Sequence, residues 1–242
     1  MRNPDDIRAE MASLGAPEAR WSGRKAIAES LAAKKAWRQA HPDASARLDQ
    51  LAAELGEAEE QAREMLRAAR MAERLEGSGL GARTREAVEA ASDSPAVVST
   101  RQWLNAGRSW LLLAGDVGTG KTVAAGWALR EVARQGQTVA FRRAAEVARL
   151  SGFDAGAQEL HRLKRVGLLV LDDLGTECAT GWGTSILHEL LDTRHEAKLR
   201  TIITSNLKRA DARARLGDRM ADRVQQDGRV VWLEGASMRR ST

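Results

Sequence analysis

Gly115 to Thr122 read GDVGTGKT, a complete match to the pattern G-x-x-x-x-G-K-[ST]. An apolar run, SWLLLAG, precedes the match, and a helical pattern, KTVAAGWALREVARQ, opens on its last two residues. In that setting the loop chemistry is anion binding. Glycines let successive backbone N–H groups wrap a phosphate chain, and the helix N-terminus adds positive potential. Gly115, Asp116, Val117, Gly118, Thr119 and Gly120 form the cradle. Lys121 would reach the β- and γ-phosphates, and Thr122 would offer its hydroxyl to Mg²⁺.

Such a loop also needs a metal ligand and a group that handles water. VGLLVLDD, Val166 to Asp173, is an apolar strand ending in two acids about fifty residues on. Asp172 at its tip is the expected Mg²⁺ ligand, directly or through water. Asp173 is next in line to orient or deprotonate the attacking water, with Glu177 as a second candidate. Aspartate is one methylene shorter than glutamate, so slow hydrolysis is expected. TIITSN, another apolar strand, ends in Ser205 and Asn206. If it lies between the loop strand and the Asp172 strand, Asn206 would stand beside the γ-phosphate and could position water.

These residues have to be held by a sheet. From Trp110 onward SWLLLAG, QTVAFR, VGLLVLDD, LRTIITSN and GRVVWLEG alternate with helical stretches. Their continuous aliphatic character predicts strands buried on both faces of a parallel sheet with helices on either side. The extra strand QTVAFR between the loop and Asp172 separates this class from Ras-like and simple kinase folds.

Before that region the chain reads as helix. Leu48, Leu51, Leu55, Ala58, Ala62, Met65, Ala69 and Ala72 recur in steps of three and four, a heptad seam with a start signal at Pro42 and Asp43. Half the seam is alanine, so it should pack closely in a hairpin, with residues 24–38 and their Ile27, Leu31 and Trp37 as partner. The glycines near Gly77 place the division there: a helical module over 1–76 and a nucleotide-binding domain over 77–242. Trp21 and Trp37 are candidate anchors for a protein partner, whereas Trp103, Trp110, Trp127 and Trp232 are candidates for core or domain-edge packing.

The chain has 242 residues, 43% of them hydrophobic, enough for one sizeable core and an appendage. A net charge of +5 and a pI near 9.9 suit a polyanionic partner without requiring one. The single cysteine, Cys178, excludes a disulfide framework and a cysteine-based zinc site, and HELLDTRH has the wrong spacing for a zinc-protease helix. There is no internal repeat, no apolar run of signal-peptide length and no bilayer-spanning stretch, so a cytoplasmic location is expected.

The runs RLKRVGLLVLDDLGTECATGW, ELLDTRHEAKLRTIITSNL and LGDRMADRV occur in the order and spacing of one family. Over residues 80–242 the chain resembles the DnaC/IstB family of AAA+ ATPases: replicative helicase loaders and helper ATPases of insertion sequences. The resemblance implies an AAA+ P-loop fold of the ASCE type, without the usual helical lid, preceded by a small all-helical module. It implies ATP with Mg²⁺ as cofactors and head-to-tail self-association into a spiral or ring. Arg223 matches the family's arginine finger and Arg219 the first arginine of the pair. Arg239, in GASMRR, matches a C-terminal motif whose arginine could approach nucleotide. A finger serves a neighbouring subunit, so Arg223 is expected to lack a partner in its own chain.

The resemblance further implies single-stranded DNA inside the spiral, with Arg142, Arg143, Arg149, Arg162, Lys164 and Arg165 as backbone-tracking candidates. The favoured function is an ATP-dependent loader that holds a replicative DNA helicase through residues 1–76. A transposition helper recruiting a transposase and a regulatory ATP-binding adaptor are the alternatives.

Overall fold

The computed structural model describes residues 2–17, 24–90, 93–150, 154–175, 181–208 and 218–235; for 24, 25, 154, 181–184 and 218–220 it describes the backbone only. Trp21, Glu177, Cys178 and Arg239 lie outside the described residues, as does the side chain of Arg219. The chain divides into two compact units, residues 1–69 and 70–242.

In the larger unit the five expected strands form one parallel sheet. They are β1 (Trp110–Gly115), β2 (Val139–Arg143), β3 (Leu168–Asp172), β4 (Arg200–Ser205) and β5 (Gly228–Leu233), in the spatial order β2-β3-β4-β1-β5. β4 therefore lies between the loop strand and the Asp172 strand. Register pairs Leu113 with Thr204 and Ala114 with Ser205, so the ends of β1 and β4 finish side by side.

Side chains alternate between two cores, as the period of a strand requires. Leu111, Leu113, Val139, Phe141, Leu168, Val170 and Ile202 face a cluster built with α4 (Ala82–Ala90), α5 (Pro95–Asn105) and α6 (Lys121–Arg134). Trp110, Leu112, Ala114, Ala140, Leu169, Leu171 and Ile203 face the opposite cluster. That side is covered by α7 (Ala144–Val147), α8 (Asp154–Arg165), α9 (Gly181–Glu196) and α10 (Asp218–Asp227). Trp103, Trp110 and Trp127 are buried, and Trp232 is half-buried against the second core.

The smaller unit corrects one expectation. α3 (Pro42–Ser78) begins where the start signal stands, and α2 (Arg24–Ala40) matches the expected helix. The seam, however, is closed by α1 (Pro4–Ser13): Ile7 is buried against Leu51 and Ala58, with Met11, Leu14 and Leu55 beside them. Arg8 pairs with Glu59 at 2.5 Å and Arg47 with Glu10 at 2.6 Å across the same contact. Leu31 of α2 stays 57% exposed, and Trp37 stacks on His41 with ring centroids 5.1 Å apart. α1 is ten residues, about 15 Å long at 1.5 Å per residue. It covers only the near part of the seam, and residues 61–70 are exposed on every side.

α3 passes through Gly77, and its last turns carry Met71 and Leu75, which pack on the first sheet core. These two apolar contacts put the division between units inside the helix, ahead of the glycines. No described helix is long and apolar enough to cross a membrane.

Candidate nucleotide site

The site is assembled where β1, β3 and β4 end, the edge at which open parallel sheets take ligands. Gly115 leaves β1 at φ 133°, and a Cβ there would lie 2.0 Å from the Leu233 carbonyl oxygen, so the loop begins at a position only glycine can fill. Gly118 and Gly120 turn the loop at φ 86° and 85°. Thr119 Oγ1 donates to the Asp116 carbonyl at 2.8 Å, and Val117 stands 58% exposed.

Lys121 is 6% exposed and folds back under the loop. Its Nζ donates to the carbonyls of Gly115 at 2.9 Å and Asp116 at 2.6 Å. α6 starts directly behind it with no side-chain cap, which leaves the first-turn N–H groups for an anion.

Below the loop, the strand ends are joined by a chain of hydrogen bonds. Thr122 Oγ1 donates to Asp172 Oδ1 at 2.9 Å, and Thr204 Oγ1 donates to the same oxygen at 2.6 Å. Asp173 N–H donates to Thr204 Oγ1 at 3.0 Å, and Asn206 Nδ2 donates to Asp173 Oδ1 at 3.3 Å. Burial pushes the Asp172 carboxyl above the usual carboxylate range; the hydroxyls of Thr204 and Thr122 pull against that shift. A buried carboxylate that disfavours its own charge is poised to gain from a cation. Among the described residues no group of three His, Cys, Asp or Glu could hold a metal alone. Thr122 and Asp172 fit a metal that draws its remaining ligands from phosphate and water, as Mg²⁺ does.

The structure thus brings Lys121, Thr122, Asp172, Asp173 and Asn206 to one place, as their motifs require. Thr204 was not singled out in the sequence. Its hint is its position two residues before Asn206, the spacing at which strand alternation puts two residues on one face.

Arg223 departs from expectation. Its guanidinium forms an ion pair with Asp192 of α9, the two side chains being 13% and 26% exposed. Helix-face spacing shows a cation's neighbours along its own helix, whereas this carboxylate arrives from another helix. The six basic candidates also divide. Arg142 bonds Glu159 at 2.8 Å and the Ser78 carbonyl at 2.7 Å; Arg162 bonds Glu159 at 2.8 Å; Lys164 bonds Glu189 at 2.5 Å. These three pair with carboxylates of the same domain, Arg162 doing so on an exposed helix face; Arg143, Arg149 and Arg165 are exposed as well.

One further arginine carries structure. Arg194 is fully buried and donates to the carbonyls of Leu163, Val166 and Arg200 at 2.6–2.8 Å and to Thr201 Oγ1 at 3.0 Å. Burial lowers its pKa to about 9.

A parallel sheet in this strand order, with a phosphate loop leaving β1 and a buried acid ending β3, is the AAA+ P-loop fold. The sequence profile described as IstB-like ATP binding protein matches residues 96–242, more than half of the chain, and the chain belongs to that family.

The replicative helicase loader DnaC of Buchnera aphidicola subsp. Acyrthosiphon pisum is 32% identical over 74 residues, 31% of this chain and 30% of that protein. The uncharacterized protein YdaV of Escherichia coli K12 is 32% identical over 120 residues, 47% of this chain and 48% of that protein. The matches therefore span half or less of those relatives' lengths. The crystal structure of the DnaC helicase loader superposes with a TM-score of 0.55 at 22% identity, covering 64% of this chain and all of that one. Domain III of the Thermotoga maritima replication initiation protein DnaA gives 0.50 at 19% identity, covering 61% of this chain and 66% of that one. Both share the fold.

Proposed function

We propose that this chain is a slow, assembly-dependent ATPase that loads a replicative DNA helicase onto single-stranded DNA. The observation that carries the ATPase reading is the hydrogen-bonded line from Thr122 through Asp172 and Thr204 to Asp173 and Asn206, set beneath the phosphate loop. In this reading Lys121 exchanges two loop carbonyls for the phosphate oxygens, and Thr122 and Asp172 hold Mg²⁺. Bound Mg²⁺ supplies charge neutralisation at the phosphates. Asp173 and Asn206 orient the attacking water.

Arg223 completes the site of a neighbouring subunit in a head-to-tail assembly, which requires it to leave Asp192. Asp192 then acts as a competitor that keeps turnover low until subunits associate. Residues 1–76 hold the helicase, and the exposed Arg143, Arg149 and Arg165 contact DNA phosphates. The named loader among the relatives supports the replication role. The family profile supports a second reading, a transposition helper that binds DNA and recruits a transposase.

Two measurements test this. Lys121→Ala removes the cation aimed at the phosphates, and Mg-ATP affinity should fall by well over tenfold, about 1.4 kcal/mol or more; unchanged affinity would remove the basis of the reading. Binding of the full chain to the host's replicative helicase and to any co-encoded transposase separates the two roles. Tight binding to a transposase with none to the helicase selects the second.

A further inference from the structure

Thr204 lies at the centre of the hydrogen-bonded line and is fully buried. It touches three consecutive residues as they leave β3. Its hydroxyl donates to Asp172 Oδ1 at 2.6 Å and accepts from Asp173 N–H at 3.0 Å, and its carbonyl accepts from Leu174 N–H at 2.9 Å. A hydroxyl has one proton, so committing it to Asp172 turns its lone pairs toward the Asp173 amide. The two bonds are therefore set by a single rotor.

Asp173 needs such a tether. It stands at φ 57°, a left-handed conformation uncommon for a residue other than glycine. That conformation sends the Asp173 carboxylate to Asn206 at 3.3 Å. Both hydroxyl bonds on Asp172, from Thr122 and from Thr204, fall on the same oxygen. One carboxylate oxygen is thus shared between the loop that holds phosphate and the strand that holds the water-side acid.

We propose that Thr204 is a positioning residue for ATP hydrolysis, whose hydroxyl keys the orientation of Asp173 to the metal-side carboxylate of Asp172. The proposal rests on the reading of Asp172 and Asp173 given above. Displacing Asp172 turns the Thr204 hydroxyl, which in turn releases or fixes the Asp173 amide. A residue that merely filled the strand would show no such linkage.

The test uses the full chain with Thr204→Val, Thr204→Ser and Asp173→Asn, measuring ATP affinity, kcat and the Mg²⁺ concentration at half-maximal turnover. Valine keeps the shape and removes the hydroxyl. Thr204→Val should bind ATP within about twofold of the parent, lose about 10–100-fold in kcat and need several-fold more Mg²⁺, as loss of an outer partner of a metal ligand does. Thr204→Ser should return kcat to within about threefold of the parent. Combining Thr204→Val with Asp173→Asn should cost little beyond Asp173→Asn alone, because both act on one group.

Parent-like kcat and Mg²⁺ dependence in Thr204→Val overturn the proposal, and so do fully additive losses in the double variant. If Thr204→Val fails to fold, Thr204→Cys keeps the size of serine without a strong donor and is judged by the same outcomes. Parent-like turnover in Asp173→Asn itself removes the site reading and the proposal with it. An inactive Asp173→Asn beside an active Thr204→Val removes the proposal alone.

Discussion

Asp192→Asn should make the protein less stable and a better ATPase at once. The Asp192–Arg223 pair joins α9 to α10 with side chains 13% and 26% exposed. It therefore falls between an exposed pair, which contributes about 0–1 kcal/mol, and a fully buried one, whose rupture costs about 3–5 kcal/mol. An intermediate figure of about 1–2 kcal/mol follows. A chain of this size loses about 2–4 °C per kcal/mol, so melting should fall by about 2–8 °C in Asp192→Asn and by a similar amount in Arg223→Ala. The double variant should be no worse than either single by more than about 0.5 kcal/mol.

Turnover separates the two substitutions. If Arg223 serves a neighbour, Asp192→Asn lowers the cost of releasing it, and 1–2 kcal/mol corresponds to a rise of about 5–30-fold in turnover per site where release limits the rate. Arg223→Ala should bind ATP normally and lose about 100-fold or more in kcat. Mixing it with Lys121→Ala protein recreates interfaces that combine an intact loop with an intact arginine, and activity should partly return. The assay is steady-state phosphate release across mixing ratios at concentrations where assembly is verified. Arg223→Ala with lowered melting but full turnover would refute the argument: the pair would then be a helix latch only, and Arg219, one turn earlier, would be tested next.

Gly115→Ala places a Cβ 2.0 Å from the Leu233 carbonyl oxygen at φ 133°, so it should cost about 3 kcal/mol or more and abolish ATP binding, seen in thermal melts and nucleotide titration. Asp172→Asn should weaken Mg-ATP binding by about 10–100-fold yet stabilise the nucleotide-free protein at neutral pH. The Asp172 pKa is raised above its unfolded value by burial, so the stability this group contributes is present below the unfolded pKa and lost as pH rises through the folded one. The gain from Asp172→Asn should therefore shrink toward acid pH, and urea unfolding at acid and neutral pH measures it; equal gain at both would contradict the assignment.

The phosphate loop was legible because its chemistry is contiguous: eight neighbouring residues shape the cradle and start the helix that backs it. The sheet was legible because strands buried on both faces leave continuous apolar runs. The placement of β4 beside β1 stood in the sequence only as a condition on Asn206's role, and the strand order of the sheet meets that condition. α1 was missed although Asn3, Pro4, Asp5 and Asp6 form a helix start and Ile7 and Met11 share a face. Its ten residues offer too short a pattern to compete with α2 as partner for the seam.

Other features depended on residues distant in sequence. Arg223 and Asp192 are on different helices, and Arg142 on β2 meets its carbonyl acceptor, Ser78, at the end of α3. Which cation meets which carboxylate is set by how helices cross the sheet, and no spacing along one helix records it. Thr204 is one of several threonines until strand pairing sets its hydroxyl between Asp172 and the Asp173 amide. The loop's anion-binding pattern is written in neighbouring residues, so the sequence alone carries it. Which hydroxyl joins Asp172 to the Asp173 amide, and which carboxylate holds Arg223, depend on the tertiary structure, because both are meetings of side chains carried by separate elements.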